Sequence, residues 1–188
     1  MYVLILGAAG MIGRKLTARL VADGNVRGRA VERLTLADVI PPQQPEGTTG
    51  EVDLVATNLA APGQAERLVE ARPDLIFHLA AVVSGEAEAN FEKGYEVNLD
   101  GTRALLEAVR AAHLADGYCP RLVFTSSIAV YGAPLPNPIP EDFQETPLTS
   151  YGTQKAIGEL LLADYSRRGF LDGIGIRLPT ICIRPGAP

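Results

Sequence analysis

Residues 2–21 read YVLILGAAGMIGRKLTARLV, and this stretch decides how the rest of the chain is read. An apolar run with β-branched residues, too short for a helix, leads straight into a glycine-rich turn and then a helical pattern. Gly7, Gly10 and Gly13 stand in a GxxGxxG spacing across that junction. A glycine at the tight turn takes positive φ, one without Cβ lets an anion approach the backbone, and one inside the helix permits close packing on a sheet. The free N–H groups and dipole of the helix favour a phosphate group there, so Met11 and Ile12 are expected beside it. The spacing differs from the GxGxxG form of the dinucleotide fingerprint.

Outward from this unit the pattern repeats. Apolar runs at residues 33–39, 51–56, 74–80, 121–127 and 173–179 alternate with helical stretches at 11–22, 63–71, 91–113 and 151–168. That alternation predicts βαβ units, six parallel strands and right-handed crossovers: an α/β, Rossmann-type doubly wound parallel sheet with helices on both faces. Two connections stand out. The Pro- and Gly-rich IPPQQPEGTTG (40–50) is expected to be exposed. YGAPLPNPIPEDFQETPLTS (131–150) is long for a strand-to-helix turn, the length typical of a lid or binding segment.

The 188 residues, 47% hydrophobic and 21% charged, suit one globular domain. With 17 basic against 22 acidic residues and a net charge of -5, no basic stripe invites nucleic acid. No run approaches the roughly 20 apolar residues that span a bilayer, and the N-terminus lacks the basic leader of a signal peptide, so a cytoplasmic protein is expected. Cys119 and Cys182 sit at apolar runs and are expected as reduced core thiols. His78 and His113 lie far apart without cysteines or paired carboxylates nearby, so no metal site is expected.

Asp38 closes the second strand, where an acidic residue meets the adenosine ribose of a bound dinucleotide. A 2′-phosphate about 4 Å from it would be repelled by about 4 kcal/mol per charge pair at an effective dielectric of 20, which favours NAD over NADP. Arg14 and Arg33 are basic neighbours in sequence that can blunt this preference. Further on, Tyr151 and Lys155 lie four apart at the start of a helix capped by Thr149 or Ser150, so both project on one face. A phenol titrates near pH 10, and acting as a base near neutrality requires about 4 kcal/mol of stabilisation of its anion. An ammonium about 5 Å away supplies about 3 kcal/mol at that dielectric, and an oxidised nicotinamide adds a second positive charge. Thr125, Ser126 and Ser127 end the fifth strand at the carboxyl edge of the sheet, where doubly wound folds bind ligands.

With these residues in view, the chain resembles an extended short-chain dehydrogenase/reductase of the NAD-dependent epimerase/dehydratase group. GAAGMIG (7–13), HLAA (78–81), VNLDGT (97–102), TSSIAVYG (125–132), YGTQK (151–155) and RLPT (177–180) appear in that family's order. The resemblance implies Tyr151 as general base, Lys155 holding the nicotinamide ribose, and Ser127, directly before IAVYG, binding the reacting oxygen. It implies cofactor contacts at Asn58, Leu59, Ala80, Asn98 and Pro179 as well, with Asn58 replacing a more usual aspartate near the adenine. Within the family, residues 78–91 and 148–186 look most like members that oxidise the C2 hydroxyl of a four-carbon sugar acid with NAD. Thr180 then stands where nucleotide-sugar epimerases often carry a substrate-facing asparagine, and Ser84 is expected near substrate.

Arg184 is either a surface residue or a bidentate partner for a substrate carboxylate. Family members commonly dimerise through helices matching 91–113 and 151–168, although core packing explains those apolar faces equally well. The expectation is an NAD-binding domain over residues 1–188, with a C-terminal substrate region apparently absent, that oxidises a small sugar acid. A nucleotide-sugar epimerase or dehydratase, and a cofactor-binding module without catalysis, are the alternatives.

Overall fold

The computed structural model of the chain describes residues 1–179, so Thr180, Cys182 and Arg184 lie outside the described residues. In chain order the elements are β1 (Tyr2–Leu6), α1 (Met11–Asp23), β2 (Asn25–Val26), β3 (Arg29–Ala30), β4 (Arg33–Asp38), β5 (Glu51–Ala56), α2 (Gln64–Glu70) and β6 (Leu75–His78). Then follow α3 (Ser84–Ala89), α4 (Phe91–Tyr95), a π-turn (Glu96–Asp100), α5 (Gly101–Asp116), β7 (Arg121–Ser127), a 3-10 turn (Ile128–Val130), α6 (Ser150–Arg167) and β8 (Asp172–Leu178).

Six strands form one sheet in the order β5-β4-β1-β6-β7-β8, and every neighbouring pair is parallel. The chain builds β4 and β5 on one side of β1 and then crosses to β6 on the other. Leu6 consequently pairs with Ala37 on one side and His78 on the other. That reversal of direction at the carboxyl end of β1 opens the crevice in which doubly wound sheets bind ligands.

Strand alternation divides the core. Val3 and Ile5 pack with Leu34, Leu36 and Leu20 of α1 on one face. Leu4 and Leu6 pack with residues of α2, α5 and α6 on the other, among them Leu68, Leu105, Val109 and Leu162. Period-two side chains facing two buried layers are why β1 reads as an unbroken apolar run instead of an alternating one. Over β7, α6 descends onto the Phe124 ring through Gly158, where an added Cβ would come within 2.7 Å of the ring.

The long segment 131–149 is tied down at both ends. Thr146 N–H donates to Val130 O (3.0 Å) and Gly132 N–H to Thr146 Oγ1 (3.1 Å). Arg177 of β8 grips Glu159 of α6 (2.6 Å) and also bonds Glu145 and Tyr131 of the segment.

Several expectations change. The helix read at 91–113 is three pieces, because the π-turn at Glu96–Asp100 interrupts the ladder between α4 and α5. The loop after β6 contains the extra helix α3, and β2 and β3 form a small antiparallel ribbon. Cys119 is exposed and free instead of buried, since it lies in the connection between α5 and β7, ahead of the strand.

His78, 1% exposed, gives the fold a pH signature: burial, reinforced by the charge of Lys155, lowers its pKa to about 3. The unfolded chain takes up a proton near pH 6.5 that the folded chain refuses, so stability present above that pH is lost as pH falls toward 3. Between pH 7 and pH 5 the unfolding free energy should fall by about 2 kcal/mol from this residue. Denaturant titrations of the parent and of His78→Gln at the two pH values check it, with the loss confined to the parent. Gly158→Ala should cost about 1–3 kcal/mol in the same assay, because the ring it would strike is fully packed.

Candidate active site

The turn after β1 is a backbone cradle. Gly7 has φ +86°, and a Cβ there would meet Ala80 N at 2.6 Å; a Cβ on Gly13 would meet Gly7 O at 2.2 Å. Gly10 N–H donates back to Gly7 O (3.2 Å), which turns the chain into α1 with Met11 and Ile12 at its first, partly exposed positions. Asp38 joins this turn to the neighbouring strand: its Oδ2 accepts the Ala9 N–H at 2.9 Å.

A cleft of about 790 Å³ opens over the cradle. Gly7, Gly10, Asp38, Asn58, Leu59 and Ala80 all line it, so the structure brings together six of the residues read from sequence. Val39 and Ile40, 64% and 65% exposed, give its Asp38 side an apolar flank. Asn58 is already engaged, its Oδ1 accepting Ala60 N–H (3.0 Å) and its Nδ2 donating to Glu96 (3.1 Å) across the cleft. Arg33 is held away on Asp53 (2.8 Å). Arg14 lines a separate cavity beneath residues 43–49, so neither arginine sits beside the Asp38 carboxylate in the cleft.

Asn98 does not open into the cleft. It is 1% exposed, and its amide clamps the Val82 backbone, accepting N–H at 2.9 Å and donating to C=O at 3.2 Å. It shapes a wall of the cleft instead. Ser84 opens α3 at an exposed position, and Pro179 lies exposed just past β8.

At the other end of the site, β7 delivers Ser127 to the carboxyl edge, where its Oγ caps the 3-10 turn by accepting Ala129 N–H (3.2 Å). The start of α6 lies against that turn, so close that a Cβ on Gly152 would reach Ala129 O at 2.2 Å. Thr149 caps α6 through Gly152 N–H (3.0 Å), which settles the choice between Thr149 and Ser150. Tyr151 and Lys155 then share one helical face, with the ammonium 5.7 Å from the phenol ring centroid. Lys155 is 2% exposed. Its Nζ donates to Thr125 O (2.9 Å) and stands 4.8 Å from the Phe124 ring centroid, and burial draws its pKa down to about 8.

The main-chain carbonyl of Thr125 as the anchor of Lys155 carries no signal in a sequence, because any residue has a carbonyl. Gln154, fully buried beside Lys155, sits inside the YGTQK segment, yet its inward direction follows only from how α6 docks. Among the described residues no three His, Cys, Asp or Glu side chains gather as a metal site, and no helix is long and apolar enough to cross a membrane.

The chain is 50% identical to a D-erythronate dehydrogenase of Cupriavidus necator and 44% identical to one of Haemophilus influenzae, over all of this chain and 57% of each relative. A crystal structure of a nucleoside-diphosphate-sugar epimerase from Agrobacterium tumefaciens superposes with a TM-score of 0.97 at 70% identity, covering 100% of this chain and 55% of that one. UDP-glucose 4-epimerase from Brucella ovis, solved in complex with NAD, superposes at 0.73 with 31% identity over 93% of this chain and 50% of that one. The chain thus spans little more than half the length of these relatives. Residues 3–182 match the model of the NAD dependent epimerase/dehydratase family, and the chain belongs to that family.

Proposed function

We propose that this chain is the NAD-binding and proton-transfer part of an NAD-dependent dehydrogenase that oxidises a secondary hydroxyl of a small sugar acid, at the C2 hydroxyl in a D-erythronate-like substrate. The observation that carries the reading is Lys155. A buried ammonium, tied to the Thr125 carbonyl and set beside the Tyr151 ring, is costly to keep unless its charge is used.

The residues present fit a dinucleotide. The cradle of Gly7, Gly10 and Gly13, where a Cβ at Gly7 or Gly13 would strike backbone, suits a pyrophosphate backed by the first-turn amides of Met11 and Ile12. Asp38 suits the ribose diol, with Asn58 and Leu59 at the adenine end and Ala80 further along the same cleft, and the family resemblance assigns Lys155 and Pro179 to the nicotinamide end. When bound, NAD supplies the hydride acceptor. Tyr151 takes the proton of the substrate hydroxyl, Ser127 orients that oxygen, and Lys155 stabilises the phenolate. Asn98 acts on the cofactor through the Val82 wall it holds. Ser84, Thr180 and Arg184 are assigned to substrate, the last to its carboxylate.

The 44–50% identity to two D-erythronate dehydrogenases supports the sugar-acid reading. The 70% identity to a structure described as a nucleoside-diphosphate-sugar epimerase supports a second, in which the same oxidation begins an epimerisation. NADH accumulation with D-erythronate, and its absence with nucleotide sugars, decides between them. A homodimer and a cytoplasmic location complete the proposal.

Tyr151→Phe should lower sugar-acid-dependent NADH formation by about 100-fold or more, while NAD affinity in a fluorescence titration stays within about twofold. Retained turnover removes Tyr151 from its role. In the same titration NADP should bind at least about 10-fold more weakly than NAD, from the Asp38 carboxylate. Equal affinities would remove Asp38 from the ribose.

A further inference from the structure

Between the cleft wall and α6 runs a buried chain of hydrogen bonds that the proton-transfer scheme leaves unused. It begins at the π-turn, where Gly101 N–H reaches back to Glu96 O and the helical ladder is offset. Thr102 Oγ1 donates to Asn98 O at 2.7 Å. A hydroxyl has one hydrogen, so in the 2.8 Å contact between Thr102 Oγ1 and His78 Nε2 the imidazole is the donor. His78 is therefore protonated on Nε2, burial keeps the ring neutral, and its buried Nδ1 has no hydrogen-bond partner among the described residues.

The next link leaves no freedom either. Because Val82 N–H donates to Asn98 Oδ1, the Asn98 amide has one orientation, and its Nδ2 hydrogens go to Val82 O and to Gln154 Oε1 (2.7 Å). Gln154, 0% exposed, presents its Nε2 to a slot under α4 where a Cβ on Gly94 would come within 2.8 Å, and that nitrogen has no hydrogen-bond partner among the described residues. A buried amide with one half unmatched lowers stability. An apolar side chain of the same length would fill the slot without that cost. What only the amide provides is the acceptor for Asn98, one residue before Lys155.

We propose that Gln154 is a positioning residue: through Asn98 it locks the Leu79–Val82 wall of the cleft to the helix that carries Tyr151 and Lys155, so that a ligand seated against the wall is held in register with the pair. The inference rests on the Tyr151/Lys155 reading above. The wall itself keeps both of its Asn98 bonds without Gln154, so the function of the link is registration and not cofactor affinity.

The chain has three lysines, Lys15, Lys93 and Lys155, and the first two are exposed. Lysine-selective 13C NMR can therefore follow Lys155 during a titration with NAD, in the parent and in Gln154→Met. The Met variant removes the unmatched Gln154 nitrogen but leaves one Asn98 Nδ2 hydrogen without its acceptor, so it should melt within a few degrees of the parent and bind NAD within about twofold of it, while the NAD-induced displacement of the Lys155 signal falls to less than about half. An unchanged displacement overturns the inference and leaves the cofactor reading standing. A lowered melting temperature together with lost NAD affinity makes Gln154 a structural prop and also overturns it. No response of Lys155 to bound NAD in the parent removes the Tyr151/Lys155 reading, and the inference with it.

Discussion

The backbone of α1 meets the turn after β1 with no side chain between them, and the rest of the site depends on that approach. A Cβ on Gly13 would sit 2.2 Å from the carbonyl of Gly7, and one on Gly7 would sit 2.6 Å from the nitrogen of Ala80. Three backbone segments, residues 7–8, 13 and 79–80, are therefore in direct contact. Their closeness sets the turn into α1, with Gly7, Ala9 and Gly10, at the floor of the cleft, and it holds the loop after β6 as a wall of the same cleft. Were any side chain to intervene, the helix would be pushed off the sheet and the cleft would lose its floor.

The second half of the site answers to a different constraint, the burial of a charge. Lys155 is almost wholly inside the protein, and the fold sets its ammonium against the Thr125 carbonyl and the rings of Phe124 and Tyr151. Gly152 and Gly158 let α6 come down onto the turn after β7 and onto Phe124, and that descent drives the ammonium inward. Burial lowers the pKa of Lys155 and, more strongly, that of His78, so the two basic groups share a pocket in which only the lysine is charged at neutral pH. The short chain of neutral hydrogen bonds from His78 to Gln154 is compatible with that division, since it adds no further charge beside the ammonium.

Much of this was legible before any coordinates. The alternation of short apolar runs with helical patterns gave six parallel strands, because a strand buried on both faces can only be written with apolar residues. The close backbone approach at Gly7 and Gly13, the place of Asp38 at the end of β4 and the shared helical face of Tyr151 and Lys155 were legible because each follows from a particular residue at a particular offset. The readings that changed were those without such a demand. A π-turn has no sequence signature of its own, so residues 91–113 read as one element. Asn98 stands where the family resemblance implies a cofactor contact, but its direction, into the Val82 backbone instead of the cleft, depends on that offset turn. Cys119 looked like a core thiol because apolar residues follow it, and its exposure reflects only where the connection from α5 surfaces.

By itself the sequence determined the class of fold, the position of the glycine-rich turn after β1 and the placing of Tyr151 and Lys155 on one face of a helix, since periodicity and spacing along one helix or one turn are local properties. The tertiary structure decided which groups meet: Asp38 with the Ala9 amide, Arg33 with Asp53 instead of the cleft, Lys155 with Thr125, and Asn98 with Gln154. Each of those partners lies on a different element, and contact between them follows from strand order and helix docking, which no local pattern encodes.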